Sequence, residues 1–228
     1  MDEDALDFPM LQSSTLGQRV FDELRARILD GRLPAGADVA DSVIARELHV
    51  SRAPVRDACN QLVADGLMTK QQNYPFRVRE WTEDNLVELN LIRWSYETAA
   101  ARFLTETERP VLPEVAEALG RMDAAAAAGD PAASMQADMQ FHFAFVESTE
   151  LPELIALHRR VGERALLVPI PADLPMNVLS LQRQRHEQIL QALAESRKAG
   201  DVVAVSTALK HHMLTYRTLA ELAAQAGS

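Results

Sequence analysis

Three histidines and one aspartate are spaced so that they could share a divalent cation. Asp138 and His142 stand one helical turn apart, so their side chains project the same way. Met135, Phe141 and Phe145 surround them at helical spacing, which puts both polar groups on a greasy face. His186 has Ile189, Leu190 and Leu193 on its own side. His212 shares a face with Val205, Leu209, Tyr216 and Leu219. His211 is rotated by about 100° from it and falls nearer the rim. A lone inward histidine is ordinarily a hydrogen-bonded core residue. Burying three of them with a carboxylate is costly without a common partner, and one cation satisfies all four. Imidazole and carboxylate donors suit zinc first, and also nickel, iron or manganese; no thiolate biases the choice. His49 and His158 lack such company and are expected at a turn or on the surface. Such a set could also activate water in a metal-dependent hydrolase, with Glu97, Glu187 and His211 as the acids and bases nearby.

A second chemistry lies earlier in the chain. Arg52, Arg56 and Asn60 recur one turn apart on a predicted helix whose other side carries Val55, Cys59 and Leu62. Guanidinium forks reach phosphates or guanine edges, and an amide pairs with adenine. Ser51 is placed to cap this helix, Pro54 falls in its first turn where a missing N–H costs little, and Gly66 ends it. A shorter helix over 41–48 precedes it, with Ile44 and Leu48 as core contacts. His49-Val50 forms the turn, where histidine tolerates the left-handed region better than most residues. Two short strands, 67–70 and 76–79, flank Gln71-Gln72-Asn73-Tyr74-Pro75 as a wing. Ser42, Lys70 and Arg77 join Ser51, Arg52, Arg56 and Asn60 as candidate DNA contacts.

The elements that must position these residues follow from punctuation. Residues 1–12 are expected to be a disordered lead. Ser13 to Thr15 offer a cap, and Leu16, Val20, Leu24 and Ile28 mark a first helix ended by Asp30-Gly31. Residues 13–79 thus form a DNA-binding unit and 80–84 a hinge. Residues 85–225 form an all-helical bundle of about six helices. Its helices are expected over 83–104, 114–128, 131–148, 151–168, 177–199 and 201–225. Thr82 with Asn85, Asp130 and Asp201 are the capping signals.

Composition narrows the class. The net charge is −10 over 228 residues, yet from Leu16 to Arg79 acids and bases roughly balance. A near-neutral head on an acidic body suits specific DNA binding with few phosphate contacts and argues against non-specific coating of nucleic acid. The leading MDEDALDFPM is acidic and unlike a signal peptide, and no apolar run has the length of a membrane span. The single cysteine, Cys59, excludes an internal disulfide, is expected as plain core, and fits a reducing cytoplasm.

LRARILDGRLPAG followed by SVIARELHVSRAPVRDACNQLVADGL resembles the winged helix-turn-helix head of GntR-family transcription regulators, from Thr15 to Arg79. The resemblance implies that Arg52 and Arg56 contact an operator. Where the family's wing tip commonly carries Arg-Gly, this chain has Tyr74-Pro75, and Asn60-Gln61 stands where arginines are common. D-M-Q-F-H, R-H-E-Q-I-L-Q-A-L and L-K-H-H-M resemble the all-helical FCD ligand-binding domain of the FadR-type branch. That implies Asp138, His142, His186 and His212 as metal ligands. It further implies that Arg93, in Leu91-Ile92-Arg93-Trp94-Ser95-Tyr96-Glu97, meets a carboxylate effector, with Tyr96 and Glu97 beside it. An Arg93–Glu97 pair within the helix is the plain alternative. The branch commonly has Ser-Gly-Asn where this chain has Ser148-Thr149-Glu150. The expected protein is a mainly α, homodimeric, cytoplasmic repressor on a pseudo-palindromic double-stranded operator, controlled by a small carboxylate metabolite. Two rivals remain: a regulator for which the metal is the signal, and a hydrolase. The histidine set counts against a fatty acyl-CoA sensor.

Overall fold

The computed structural model describes residues 16–169 and 176–214, and for Glu83 and residues 176–180 the backbone alone. The expected lead, the cap at Ser13 to Thr15, Pro171, Pro175 and the end of the last helix with Tyr216 and Leu219 lie outside these residues. The chain divides into two compact units, residues 1–79 and 80–228.

The first unit holds α1 (Leu16–Leu29), α2 (Asp41–Glu47) and α3 (Arg52–Ala64), with β1 (Asp38–Val39), β2 (Met68–Lys70) and β3 (Phe76–Val78). Val20, Phe21, Leu24 and Ile28 form the buried stripe of α1, packed against α3. The facing stripe, Val55, Cys59 and Leu62, has 0% exposure. Each large apolar side chain so buried contributes about 1.5–3 kcal/mol. Ser51 occupies the capping position with extended backbone, but its hydroxyl makes no capping bond. His49 takes the left-handed conformation in the turn, with φ 54, and Gly66 ends α3 with φ 74. In α2 the buried residue is Ala45, and Ile44 and Leu48 are only half-buried. The antiparallel sheet has the order β1-β3-β2. The wing pair β2–β3 matches the two strands expected; β1 is an addition, pairing Val39 with Phe76 and Asp38 with Arg77.

The second unit contains α4 (Glu83–Thr107), α5 (Pro113–Ala128), α6 (Pro131–Glu147), α7 (Pro152–Leu166), α8 (Met176–Ala199) and α9 (Val203–Leu214). Proline opens α5, α6 and α7, where its missing N–H has no helical partner to lose. Asp130 accepts the Ala133 N–H at 3.0 Å, and Asp201 accepts that of Val203 at 2.9 Å. Thr82 donates its N–H to the Asn85 side chain at 3.1 Å. Phe141, Phe145, Leu104, Met122 and Ile189 centre the larger core. A smaller one joins Leu89, Met139, Val161, Ala165 and Val168 around Trp81. Trp81 is 6% exposed. Of residues 80–84, then, Trp81 is packed into the bundle, and Thr82 caps α4.

Candidate metal centre and nucleic-acid interface

Helices α6, α8 and α9 bring Asp138, His142, His186 and His212 together, with one donor atom from each inside a span of 4.8 Å. His142 Nε2 lies 3.0 Å from His212 Nε2 and 3.3 Å from His186 Nε2. Asp138 Oδ1 is 3.1 Å from His186 Nε2 and 3.6 Å from His212 Nε2. Donors held about 2.0–2.2 Å from one tetrahedral ion stand about 3.3–3.6 Å from each other, so these separations are of the right size.

Proton placement gives an independent test of fit. His142 Nδ1 lies 2.6 Å from Glu97 Oε2, and His186 Nδ1 lies 2.7 Å from the Gln182 carbonyl. Both acceptors require the proton on Nδ1, which leaves two bare Nε2 lone pairs facing each other. Burial pushes His142 below its ordinary range, against the attraction of Glu97. Burial and the charge of His186 push His212 well below its own. Burial alone would raise Asp138, but its bonds with His186 and His212 prevail and hold it well below the carboxylate range. His142 and His212 held neutral beside an ionised Asp138 are donor states a divalent cation needs, and the residues present fit one. A cleft of about 410 Å³ between α8 and α9 is lined by His211, His212, Arg185 and Gln188. His211 is exposed, as its rotation from His212 requires.

Arg93 is 5% exposed. Its Nη1 donates to Asn90 Oδ1 at 3.2 Å, and its Nη2 stands 3.7 Å from Glu97 Oε1, beyond hydrogen-bond reach. Nε and Nη2 have no hydrogen-bond partner among the described residues. Tyr96 is half-buried against the smaller core.

Two residues depart from expectation. His158, expected at the surface, is 1% exposed, and its Nε2 donates to Glu97 Oε1 at 2.9 Å. Glu97, expected beside an effector, is fully buried and already pairs with two rings. Burial works to raise Glu97, and the charges and bonds of His142 and His158 hold it far below its ordinary range. The available signals were Leu154, Ile155 and Val161 at helical spacing around His158, and the face that Arg93 and Glu97 share.

In the first unit Ser42, Ser51, Arg52, Arg56 and Asn60 are all exposed. Arg52 donates to Asp41 Oδ1 at 2.8 Å, tying α3 to α2, whereas Arg56 has no ion-pair partner among the described residues. On the wing Arg77 donates to Asp38 Oδ1 at 2.8 Å, and Lys70 donates to the Tyr74 carbonyl while lying over the Phe76 ring. Tyr74 is 65% exposed at the wing tip.

A winged helix-turn-helix unit joined to an all-helical body, with one aspartate and three histidines clustered inside that body, defines a class of ligand-linked transcription regulator. Family comparison makes this specific. The model described as "Bacterial regulatory proteins, gntR family" matches residues 16–78, and "FCD domain" matches residues 89–215. The chain belongs to the GntR family, in its FCD-containing branch, and is a DNA-binding transcription regulator. It is 31% identical over 208 residues to the "Probable D-xylose utilization operon transcriptional repressor" of Paenarthrobacter nicotinovorans, covering 90% of this chain and 89% of that one. The Gluconate operon transcriptional repressor of Bacillus subtilis is 26% identical over 61% of this chain and 58% of its own. Among solved structures, a GntR transcriptional regulator from Rhodococcus sp. RHA1 has a TM-score of 0.71 at 28% identity, covering 93% of this chain and 98% of that one. These relatives regulate transcription, which removes the hydrolase from consideration. No helix among the described residues is long and apolar enough to cross a membrane.

Proposed function

We propose that this protein is a homodimeric operon repressor, released from DNA when a small carboxylate metabolite binds beside a divalent ion in the second unit. The observation that carries the reading is Arg93. A buried guanidinium with two nitrogens lacking a hydrogen bond among the described residues is expensive, and a carboxylate would accept from both at once. Asp138, His142, His186 and His212 would hold the ion, zinc before nickel, iron or manganese. The ion would supply a fixed positive charge for the acid's oxygen. Two relatives named for a D-xylose operon and a gluconate operon lend support to sugar-acid or sugar-linked chemistry.

In the first unit, Arg52, Arg56 and Asn60 would enter the major groove. Ser42 and Ser51 would meet phosphates, and Lys70 and Arg77 would do so from the wing. Two such heads would span a pseudo-palindromic operator. The acid acts as a switch only if it prefers one arrangement of the heads over the other; the short stretch from Glu80 to Asp84 would carry that preference. The test is a gel-shift titration. Zinc-loaded protein is mixed with an operator selected from random DNA, and sugar acids, hydroxy acids and keto acids are added in turn. One acid should release the DNA at micromolar to millimolar concentration. If none of these acids shifts the affinity, the carboxylate switch is wrong. If chelation alone releases the DNA, the metal is the signal.

A further inference from the structure

We infer that Glu97 is a positioning residue for the metal centre rather than an effector ligand, and that His158 holds it in that role. The inference rests on the metal reading above for its binding readout, and on local geometry alone for the rest.

Glu97 sits on α4 with 0% exposure. Oε2 takes His142 Nδ1 of α6 at 2.6 Å, and Oε1 takes His158 Nε2 of α7 at 2.9 Å. One carboxylate therefore joins three helices, and both of its oxygens act as acceptors. No other side chain of similar size offers two acceptors. A glutamine accepts at one end and donates at the other. With a carboxylate, His142 can carry its neutral-ring proton only on Nδ1. The Nε2 lone pair is then bare, 3.0 Å from His212 Nε2 and 3.3 Å from His186 Nε2. With an amide, the ring is free to accept from the NH2 group instead. It would then carry its proton on Nε2, the atom a metal ion must take. Glu97 thus acts on the ion through the tautomer of one ligand, and His158 keeps the second oxygen from turning elsewhere. Partners of this kind typically govern metal affinity by about 10–100-fold.

The test uses three variants of the full chain: Glu97→Gln, His158→Phe and His158→Gln. His158→Gln keeps an N–H that can reach Oε1, whereas His158→Phe leaves that oxygen without a hydrogen bond, with Arg93 Nη2 3.7 Å away as its remaining neighbour. The first readout is the zinc dissociation constant by chelator competition, with zinc ion alone as probe. Glu97→Gln should bind zinc about 10–100-fold more weakly, His158→Phe should be weakened in the same direction, and His158→Gln should recover most of the loss. The second readout is the His142 tautomer in metal-free protein, from long-range proton–nitrogen NMR correlation. Wild type should show the proton on Nδ1, and Glu97→Gln should show it moved to Nε2 or shared. A Glu97→Gln protein with native circular dichroism, wild-type zinc affinity and an unchanged tautomer overturns the inference. If Glu97→Gln does not fold, wild-type affinity in His158→Phe overturns it instead. If wild type itself binds no divalent ion, the metal reading fails, and the tautomer measurement still decides the role of Glu97.

Discussion

Arg93 and Cys59 show how one side chain's surroundings decide its chemistry. Replacing Arg93 by lysine keeps the charge and removes the planar fork. We expect Arg93→Lys to lose about 10–100-fold in affinity for the effector acid, the equivalent of one charge-assisted hydrogen bond, while zinc binding persists; isothermal titration reads both. Burial pushes the Cys59 thiol from 9.0 to about 11. At pH 8 the folded protein should therefore resist iodoacetamide, and the urea-unfolded chain should react. The sign of the linkage follows: stability is unaffected below the unfolded value and falls as pH rises from about 9 towards 11, because only the unfolded chain releases the proton. The clustering of Asp138, His142, His186 and His212 was legible in sequence because two share a helix turn and the other two each sit on an apolar face. The Glu97–His158 pair was not legible. Its members lie 61 positions apart, and although Leu154, Ile155 and Val161 within a turn of His158 mark an apolar face, nothing in the sequence joins that face to Glu97. Only tertiary packing pairs them.

Helix positions were readable wherever proline, glycine or a capping acid ended the periodic pattern. β1 was missed because a two-residue strand has no periodicity, and its pairing with β3 spans 39 positions between Asp38 and Arg77. One close helix approach was equally hidden. Gly162 of α7 faces α6 so tightly that an added Cβ would stand 2.5 Å from Phe143 Cε1 and 2.9 Å from Met139 Sδ. Gly162→Ala gains helix propensity of about 1 kcal/mol, but overpacking at this seam costs about 1–3 kcal/mol. We expect a net fall in melting temperature, checked by calorimetry. On α3, Arg56→Ala should weaken operator binding by about 1–3 kcal/mol and relax specificity at one base pair, if Arg56 meets a base edge. A loss that is uniform across operator variants, with a shallower salt slope, would assign it to phosphate instead. Arg52→Ala also removes the tie to Asp41, so part of its effect should appear in the stability of the head.

For the whole molecule, the buried charges make stability depend on acidity, and on a divalent ion where one is bound. Removing the ion should lower the melting temperature by about 5–10 °C if zinc is present at roughly 100 times its dissociation constant, and adding zinc back should restore it. In metal-free protein His142 and His212 are held below their ordinary values, chiefly by burial. The unfolded rings take up protons near pH 6.5 and the folded ones do so only further down. Stability is therefore full above that value and falls as pH drops through it. Asp138 and Glu97 are held low by their histidine contacts despite burial, and they extend the loss below about pH 4. A melting temperature that stays flat from pH 7 to pH 5 would contradict this account. The break between the two units, at residues 79 and 80, was readable because the short strands of the wing give way there to a helical pattern. The anchoring of Trp81 was not, because a lone tryptophan beside charged neighbours could equally have been a surface residue.

The donor set of the candidate metal centre has one further consequence. The four candidate ligands offer nitrogen and oxygen only, and the chain's single cysteine lies in the other unit, fully enclosed. With no thiolate to attack, a zinc ion held there would stay in place under oxidants that empty cysteine-bound zinc sites. A regulator that senses an acid through such a site would go on reporting it in an oxidised cell as in a reduced one.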